Sequence, residues 1–370
     1  MNAETKACAP LRETDVFSLV SKHRSAIMGI AALWILVFHE WIPLLGGVPG
    51  LGRIESFAKQ VGFCGVDIFL FLSGIGLTYS IGKSSLPAFY YRRIRRIALS
   101  FLIVAVHRCI DEGWDIARFV GNVTGWNFWT KDIYSFLWFV PAVTALYLLF
   151  PLYWRFFSRS KNQLLFTVGA LEVWLLLSLS MQSVIRYEMY GFTNRIPVFL
   201  LGIYAGWLAQ NKQERHEKIT FGRVYWSFAG ITLALGAYLA YQTNYNGLFV
   251  LVPASNCCIP NLLIAVSMTF ILAALLELLN RGVVKPVGKV LSAVLAFYGG
   301  FSLELYFVQE WLHKVIYLRV EGVWHPALVN LAMIAAATVC GWVVCQAAKL
   351  VWKLVDKLTA ARNLKEKTAG

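Results

Sequence analysis

Two apolar runs follow one another near the start of the chain, RSAIMGIAALWILVFHEW at residues 24–41 and GVDIFLFLSGIG at residues 65–76. Each is long enough to enter a bilayer. Similar runs recur to the end of the sequence, and a chain built this way is restricted to helices that pass back and forth through lipid. Both opening runs also carry an ionisable residue, His39 in the first and Asp67 in the second. Such groups are expensive inside hydrocarbon unless they pair or line a wet cavity, so they mark candidate functional positions.

Composition supports lipid as the solvent. Of 370 residues, 58% are hydrophobic and 15% charged, with a mean hydropathy of +0.60. Soluble domains average about 45–50% apolar and about 25% charged residues. The net charge of +14 sits in clusters between apolar runs, which reads as a topology signal; no long basic face or recognition motif points to nucleic acid. The seven cysteines include no C-x-x-C pair, and no His-rich spacing accompanies them, so no metal is expected. Residues 1–24 are polar and the first run lacks a small-residue cleavage site after it, so the first span is expected to remain as an anchor.

A span needs about 20 mostly apolar residues, which places helices at 26–46, 61–82, 94–112, 134–156, 163–181, 195–211, 222–242, 259–280, 290–312 and 326–350. Most of the 34 Lys and Arg fall on one side of this arrangement, including Lys22, Arg24, Arg92, Arg93, Arg95, Arg96, Lys212, Arg215, Lys349 and Lys353. By the positive-inside rule both termini are cytoplasmic. The expected fold is all-α: a polytopic transmembrane bundle of about ten spans, multi-pass in the cytoplasmic (inner) cell membrane. Its parts are an amino-terminal tail at 1–24, one membrane domain at 25–350 and a basic tail at 351–370. The loop at 113–133 is rich in Trp and Asn, and Trp126, Trp129, Tyr134 and Trp138 suit an interfacial belt.

Depth relates the polar residues to one another. At about 1.5 Å per residue, the helix from Arg24 to His39 covers roughly 22 Å, so Arg24 marks the inner boundary and His39 the outer half of the bilayer. Asp67, on the returning helix, reaches a similar depth. The two form either a dyad in which the carboxylate orients the imidazole for acid–base work or a polar pair that ties two helices together. Glu40 points about 100° away from His39 and is expected at the outer interface. His107 and Asp111 read as a surface pair.

Arg92, Arg93, Arg95 and Arg96 form a basic run that either clamps phosphates or anchors against anionic lipid. No P-loop or G-x-G-x-x-G accompanies it, which argues against nucleotide hydrolysis. Ser73 and Gly74 lie mid-span, where small residues permit close packing. Arg195, on the sparsely charged outer side, either holds an anionic or hydroxyl-rich substrate or pairs with Glu188. The run GGFSLELYFVQEWLH places Glu304, Gln309 and Glu310 in an apolar helix, with Glu304 near the bilayer centre. With Ser73, Trp138 and Arg195, these three complete the candidate substrate-binding set.

In order, GIAALWILVFH, GVDIFLFLSG, YYRRIRRI, LWFVPAVTALYLLFP, RIPVFLLGIYAG and SLELYFVQ resemble the acyltransferase 3 family of polytopic membrane proteins, over about residues 22–350. The most specific piece is GVDIFLFLSG following a helix that ends in His. The resemblance implies transfer of an acyl group, typically acetyl, from cytoplasmic acyl-CoA (acetyl-CoA) to hydroxyls of sugars or other envelope molecules. It implies His39 as the essential histidine, with the RRIRRI residues on the cofactor-facing side. Taken with the residue reading, it casts Asp67 as the orienter of His39, and Arg24, Arg92, Arg93, Arg95 and Arg96 as donor ligands. Two positions depart from the family pattern. The arginine expected eleven residues before the histidine falls at Met28, with Arg24 one turn earlier, and a histidine of the ninth-span motif is Gln309.

Overall fold

A computed structural model describes residues 11–111, 113–131, 137–184, 190–247, 258–320 and 322–368. Among these residues the regular structure is helical, apart from a single isolated bridge between Asp15 and Thr220. The helices are α1 (Val16–Glu40), α2 (Leu51–Gln60), α3 (Cys64–Thr78), α4 (Leu86–Asp111), α5 (Ile116–Val123), α6 (Trp126–Thr130), α7 (Phe139–Phe157) and α8 (Gln163–Val184). They continue as α9 (Tyr190–Thr193), α10 (Ile196–Glu214), α11 (Arg223–Asn246), α12 (Cys258–Leu279), α13 (Lys285–Gly300), α14 (Ser302–Leu312), α15 (Leu318–Val320) and α16 (Pro326–Thr368).

Among the described residues, eight helical segments are long and apolar enough to cross a membrane. Helix α2 and the following α3 count as one of them, since a short 3-10 turn at Val61–Phe63 joins them. The other two expected spans correspond to α4 and α10, which fall outside that set. Four arginines interrupt α4, and α10 ends in the polar run Asn211–Glu214. Both are nonetheless long helices packed into the bundle, α10 against α3 and α4 against α14.

Local chemistry accounts for the ends of α1. Asp15 caps it, accepting from the Ser18 amide at 2.8 Å and the Ile219 amide at 3.2 Å, which satisfies an otherwise orphaned donor and ties the helix start to the segment between α10 and α11. After α1 the chain is gathered by Glu55, whose carboxylate accepts from the Trp41 indole and from the Leu44 and Leu45 amides at 2.6–2.8 Å.

Glycines set how closely the central helices approach. Apolar side chains gain little from association when the solvent is itself apolar, so membrane helices rely on close backbone packing. A Cβ at Gly29 would lie 1.9 Å from the Leu295 carbonyl oxygen, and one at Gly299 would lie 1.8 Å from that of Ser25. These two positions let α1 and α13 touch. Gly74 and Gly202 do the same for α3 and α10, where an added Cβ would meet the Phe199 and Phe71 carbonyls at 2.7 and 2.4 Å.

The ninth expected span is not one helix. It breaks at Phe301 (φ −134°, ψ 27°), between α13 and α14, and the break brings Ser302, Leu303 and Tyr306 to a cavity between α1, α3, α4 and α7. At the far end of α14 the backbone loosens into a π-helical turn at His313–Tyr317. Helix α1 already begins at Val16 and α16 runs through Thr368, so helix extends into both polar terminal segments.

Candidate active site

The central cavity, about 120 Å³, is lined at one end by Arg93 and Arg96 and along its walls by Met28, Ile35, Val66, Phe69, Phe139 and Tyr306. Ser73, Tyr147 and Ser302 contribute its hydroxyls. The arginine run lies inside α4 rather than ahead of it, and helical periodicity therefore divides it. Residues three apart share a face, so Arg93 and Arg96 meet the cavity while Arg92 and Arg95 do not line it.

Each arginine has a different environment. Arg96 donates to Glu304 Oε1 at 2.7 Å and to Oε2 at 3.4 Å, and Ser100 donates to the same Oε1 at 2.7 Å. Glu304 is 1% exposed, whereas the Arg96 side chain is 48% exposed. This carboxylate is thus held by a cation that still faces open space. Arg93 donates to Ser80, and its buried Nε has no hydrogen-bond partner among the described residues. Arg24 reaches across α3 to the Leu72 carbonyl at 3.3 Å. The Tyr147 hydroxyl, 3.3 Å from Ser73 Oγ, lies within electrostatic reach of Arg24, Arg93 and Arg96.

The remaining two arginines differ from the expected four-arginine clamp. Arg92 donates to Ser84 at the surface. Arg95 forms a two-pronged pair with Asp356 of α16 at 2.6 and 2.8 Å and lies over the Trp352 ring at 4.8 Å. Its charge is spent on holding α16 to α4.

Asp67 requires a correction too. Its carboxylate does not orient His39. Arg195 Nη1 lies 2.8 and 3.0 Å from its two oxygens, with the side chains only 1% and 2% exposed. Arg195 also lies over the Phe63 ring at 4.3 Å and near Trp138 at 6.0 Å. Trp138 thus helps to seal this pair. A carboxylate in a dry interior takes the nearest full countercharge in preference to a neutral imidazole, and the close approach of α3 and α10 supplies one. The alternative partner considered for Arg195, Glu188, lies outside the described residues.

His39 stands at the other end of the α1 stripe that faces the cavity. Met28, Ile35 and His39 are seven and four residues apart, which keeps them on one helix face. His39 does not line the cavity; it sits about one turn beyond Ile35, exposed, with its ring edge against Phe38. Its neighbour Glu40 is buried rather than solvated, 4% exposed, and lies 2.8 Å from His313 Nδ1. Glu310 pairs with Arg108 at 2.7 Å. Gln309 is buried with its Oε1 unpaired. His107 meets the Trp311 ring edge-on.

Sequence reasoning passed over several of these participants. Tyr147 and Tyr306 stand among aliphatics and signal themselves only as hydroxyls in apolar runs. His313 closes the stretch containing Glu304, but nothing local relates it to Glu40. Glu277, a carboxylate in the apolar LLELL of α12, is buried and gathers Lys22 at 2.6 Å, His23 at 2.9 Å and Arg281 at 3.0 Å. Its signal was a lone acidic residue just before a basic turn. Among the described residues no three His, Cys, Asp or Glu side chains converge as a metal donor set.

A family model, described as an acyltransferase domain of the acyltransferase 3 type, matches residues 26–346. The chain belongs to the acyltransferase 3 family. The match takes in every residue that lines the central cavity and the α1 stripe from Met28 to His39, and it begins two residues after Arg24. Neither a curated protein nor a solved structure matches the chain. Family membership makes it a membrane acyltransferase, and the cavity between α1, α3, α4 and α7 holds both cations and hydroxyls.

Proposed function

We propose that this acyltransferase takes an acyl group from cytoplasmic acyl-CoA, acetyl-CoA in the simplest case, and transfers it to a hydroxyl of a carbohydrate or other cell-envelope acceptor. One observation carries the reading: Arg93 and Arg96 face a cavity whose α1 wall leads along Met28 and Ile35 to His39. Arg24, Arg93 and Arg96 bind the donor phosphates, for which guanidinium offers paired donors. The thioester arm lies along the apolar wall. His39 accepts the proton of the acceptor hydroxyl as its oxygen attacks the thioester carbonyl; the acyl–sulfur bond breaks, the acyl–oxygen bond forms, and the proton passes to the departing thiolate. Met28 and His39 are about 16 Å apart along the helix axis, which suits a donor and an acceptor that arrive from opposite sides.

In this reading both termini are cytoplasmic, the membrane domain covers 25–350, and the enzyme resides in the cytoplasmic (inner) membrane. Ser73, Trp138, Arg195, Glu304, Gln309 and Glu310 act around the substrates rather than upon them: Ser73 by lining the cavity, Glu304 by setting Arg96, and the others by shaping the surrounding helices. Release of free thiol from acetyl-CoA by the purified protein in nanodiscs tests the proposal. Wild type is expected to turn over donor, His39→Ala to lose at least about 100-fold, the low end for removal of a general base, and Arg93→Gln to raise the donor KM. Full turnover by His39→Ala overturns the assignment.

A further inference from the structure

A second cleft opens beside the central cavity, between α4 and α7. At about 270 Å³ it is the larger of the two, and the two share Arg93, Ile97 and Tyr147 as a common wall. Its floor is closed where the Tyr90 hydroxyl donates to the Leu148 carbonyl at 3.0 Å, and Val123 of α5 contributes to its lining. Otherwise the lining is mainly aliphatic, through residues such as Ile94, Ala98, Leu102, Val140 and Leu148. Ile94, Leu102 and Leu148 are exposed on the outer face of the bundle, where lipid surrounds a protein of this kind. The cleft therefore reaches from the lipid-facing surface inward to Arg93.

From this geometry we infer that the cleft is an acyl-chain chamber, and that the donor carries a medium or long alkyl chain that lies between α4 and α7. The inference rests on the acyltransferase reading above and names the group transferred. A donor whose phosphates are held by Arg93 and Arg96 places its thioester next to Ile97 and Tyr147, on the wall that both spaces share. From there an acetyl group fits the small central cavity. A longer chain is assigned to the side cleft, the larger and mainly apolar space that meets the central cavity at this same wall. Cation at one end and a mainly apolar wall at the other match the two ends of a fatty acyl-CoA.

The contrast with a larger groove elsewhere among the described residues supports the assignment. That groove, about 980 Å³ between α7, α8 and α10, shares no residue with the central cavity and has no charged side chain in its wall. It offers a lipid tail a surface but offers a phosphorylated donor nothing.

The test is a chain-length series, acetyl-, octanoyl- and dodecanoyl-CoA, on wild type, Ala98→Phe and Thr144→Phe in nanodiscs. Ala98 and Thr144 line the side cleft and not the central cavity, so an added ring plugs only the chamber. Wild type is expected to favour the octanoyl or dodecanoyl donor. Each plug is expected to lower the ratio of long-chain to acetyl turnover by about tenfold or more, the scale on which a closed pocket rejects added methylenes. If one variant fails to fold, the other and the wild-type series still decide. Turnover of acetyl-CoA alone overturns the chamber while leaving the acyltransferase reading intact. Long-chain turnover indifferent to both plugs also overturns it, and assigns the cleft to a tail of bilayer lipid. If no acyl-CoA of any length is consumed, the acyltransferase reading fails first and the chamber with it.

Discussion

Asp67 and Glu304 are buried carboxylates, each met by an arginine from a distant segment, and the two pairs differ in what surrounds the cation. Asp67 and Arg195 are both sealed, at 1% and 2% exposure, beneath Phe63 and Trp138. Glu304 is equally buried at 1%, but its partner Arg96 is 48% exposed and lines the central cavity. The first pair has no face left for a ligand and works as a clasp between α3 and the start of α10. In the second, the carboxylate fixes the geometry of a guanidinium that still has open space before it. Residue types are alike in the two places; access to the cation separates clasp from binding group.

The largest effect that tests this contrast is on stability. Asp67→Asn or Arg195→Gln leaves an uncompensated charge in a dry site and is expected to destabilise by about 3–5 kcal/mol, read as a lowered unfolding temperature in detergent. The double variant Asp67→Leu with Arg195→Met removes both charges and is expected to recover most of that loss, since well-packed apolar replacements for buried pairs are often neutral. Failure of the double variant to recover stability would give the sealed pair a role beyond clasping.

Next comes the open pair. Arg96→Gln is expected to weaken donor binding by at least about tenfold, given about 1.5–3 kcal/mol for a hydrogen bond to a charged group, measured as donor KM. Combining it with Glu304→Gln neutralises the stranded carboxylate, so folding is expected to return while donor binding does not. Recovery of both would make Arg96 a structural residue like Arg195.

Smaller still is the pair at the surface. Arg95 and Asp356 are 30% and 53% exposed, and exposed pairs contribute about 0–1 kcal/mol. Arg95→Gln is expected to shift the unfolding temperature slightly and to leave the donor KM within about twofold, a change of under about 0.5 kcal/mol. A KM change as large as that of Arg96→Gln would restore the whole arginine run to donor binding and dissolve the division made by the helix face.

Several residues of the candidate site are legible in the sequence alone. His39, Arg93, Arg96 and Ser73 are unusual residue types for apolar helices, and a polar group in such a run announces itself locally. Their partners were not legible. Asp67 finds Arg195 at a separation of 128 residues and Arg96 finds Glu304 at 208; Glu40, read as an interfacial group, is buried against His313 at 273. Depth alone placed Asp67 beside His39, because depth says nothing about which way a helix is rotated or which neighbour it touches. The break at Phe301 also escaped a reading based on hydropathy, since both sides of it are apolar.

The sequence by itself determined an all-helical membrane chain of the acyltransferase 3 type, with its cations gathered near one end of the helices and its histidine at the other end of α1. It could do so because transfer free energy and helical period are properties of short runs. Only the tertiary structure decided that Asp67 belongs to Arg195, that Arg93 and Arg96 rather than Arg92 and Arg95 face the cavity, and that a second cleft opens beside it. Those outcomes depend on which backbones approach one another. Gly29 against Leu295 and Gly74 against Phe199 set that approach through contacts between segments far apart in the chain, where no local pattern records them.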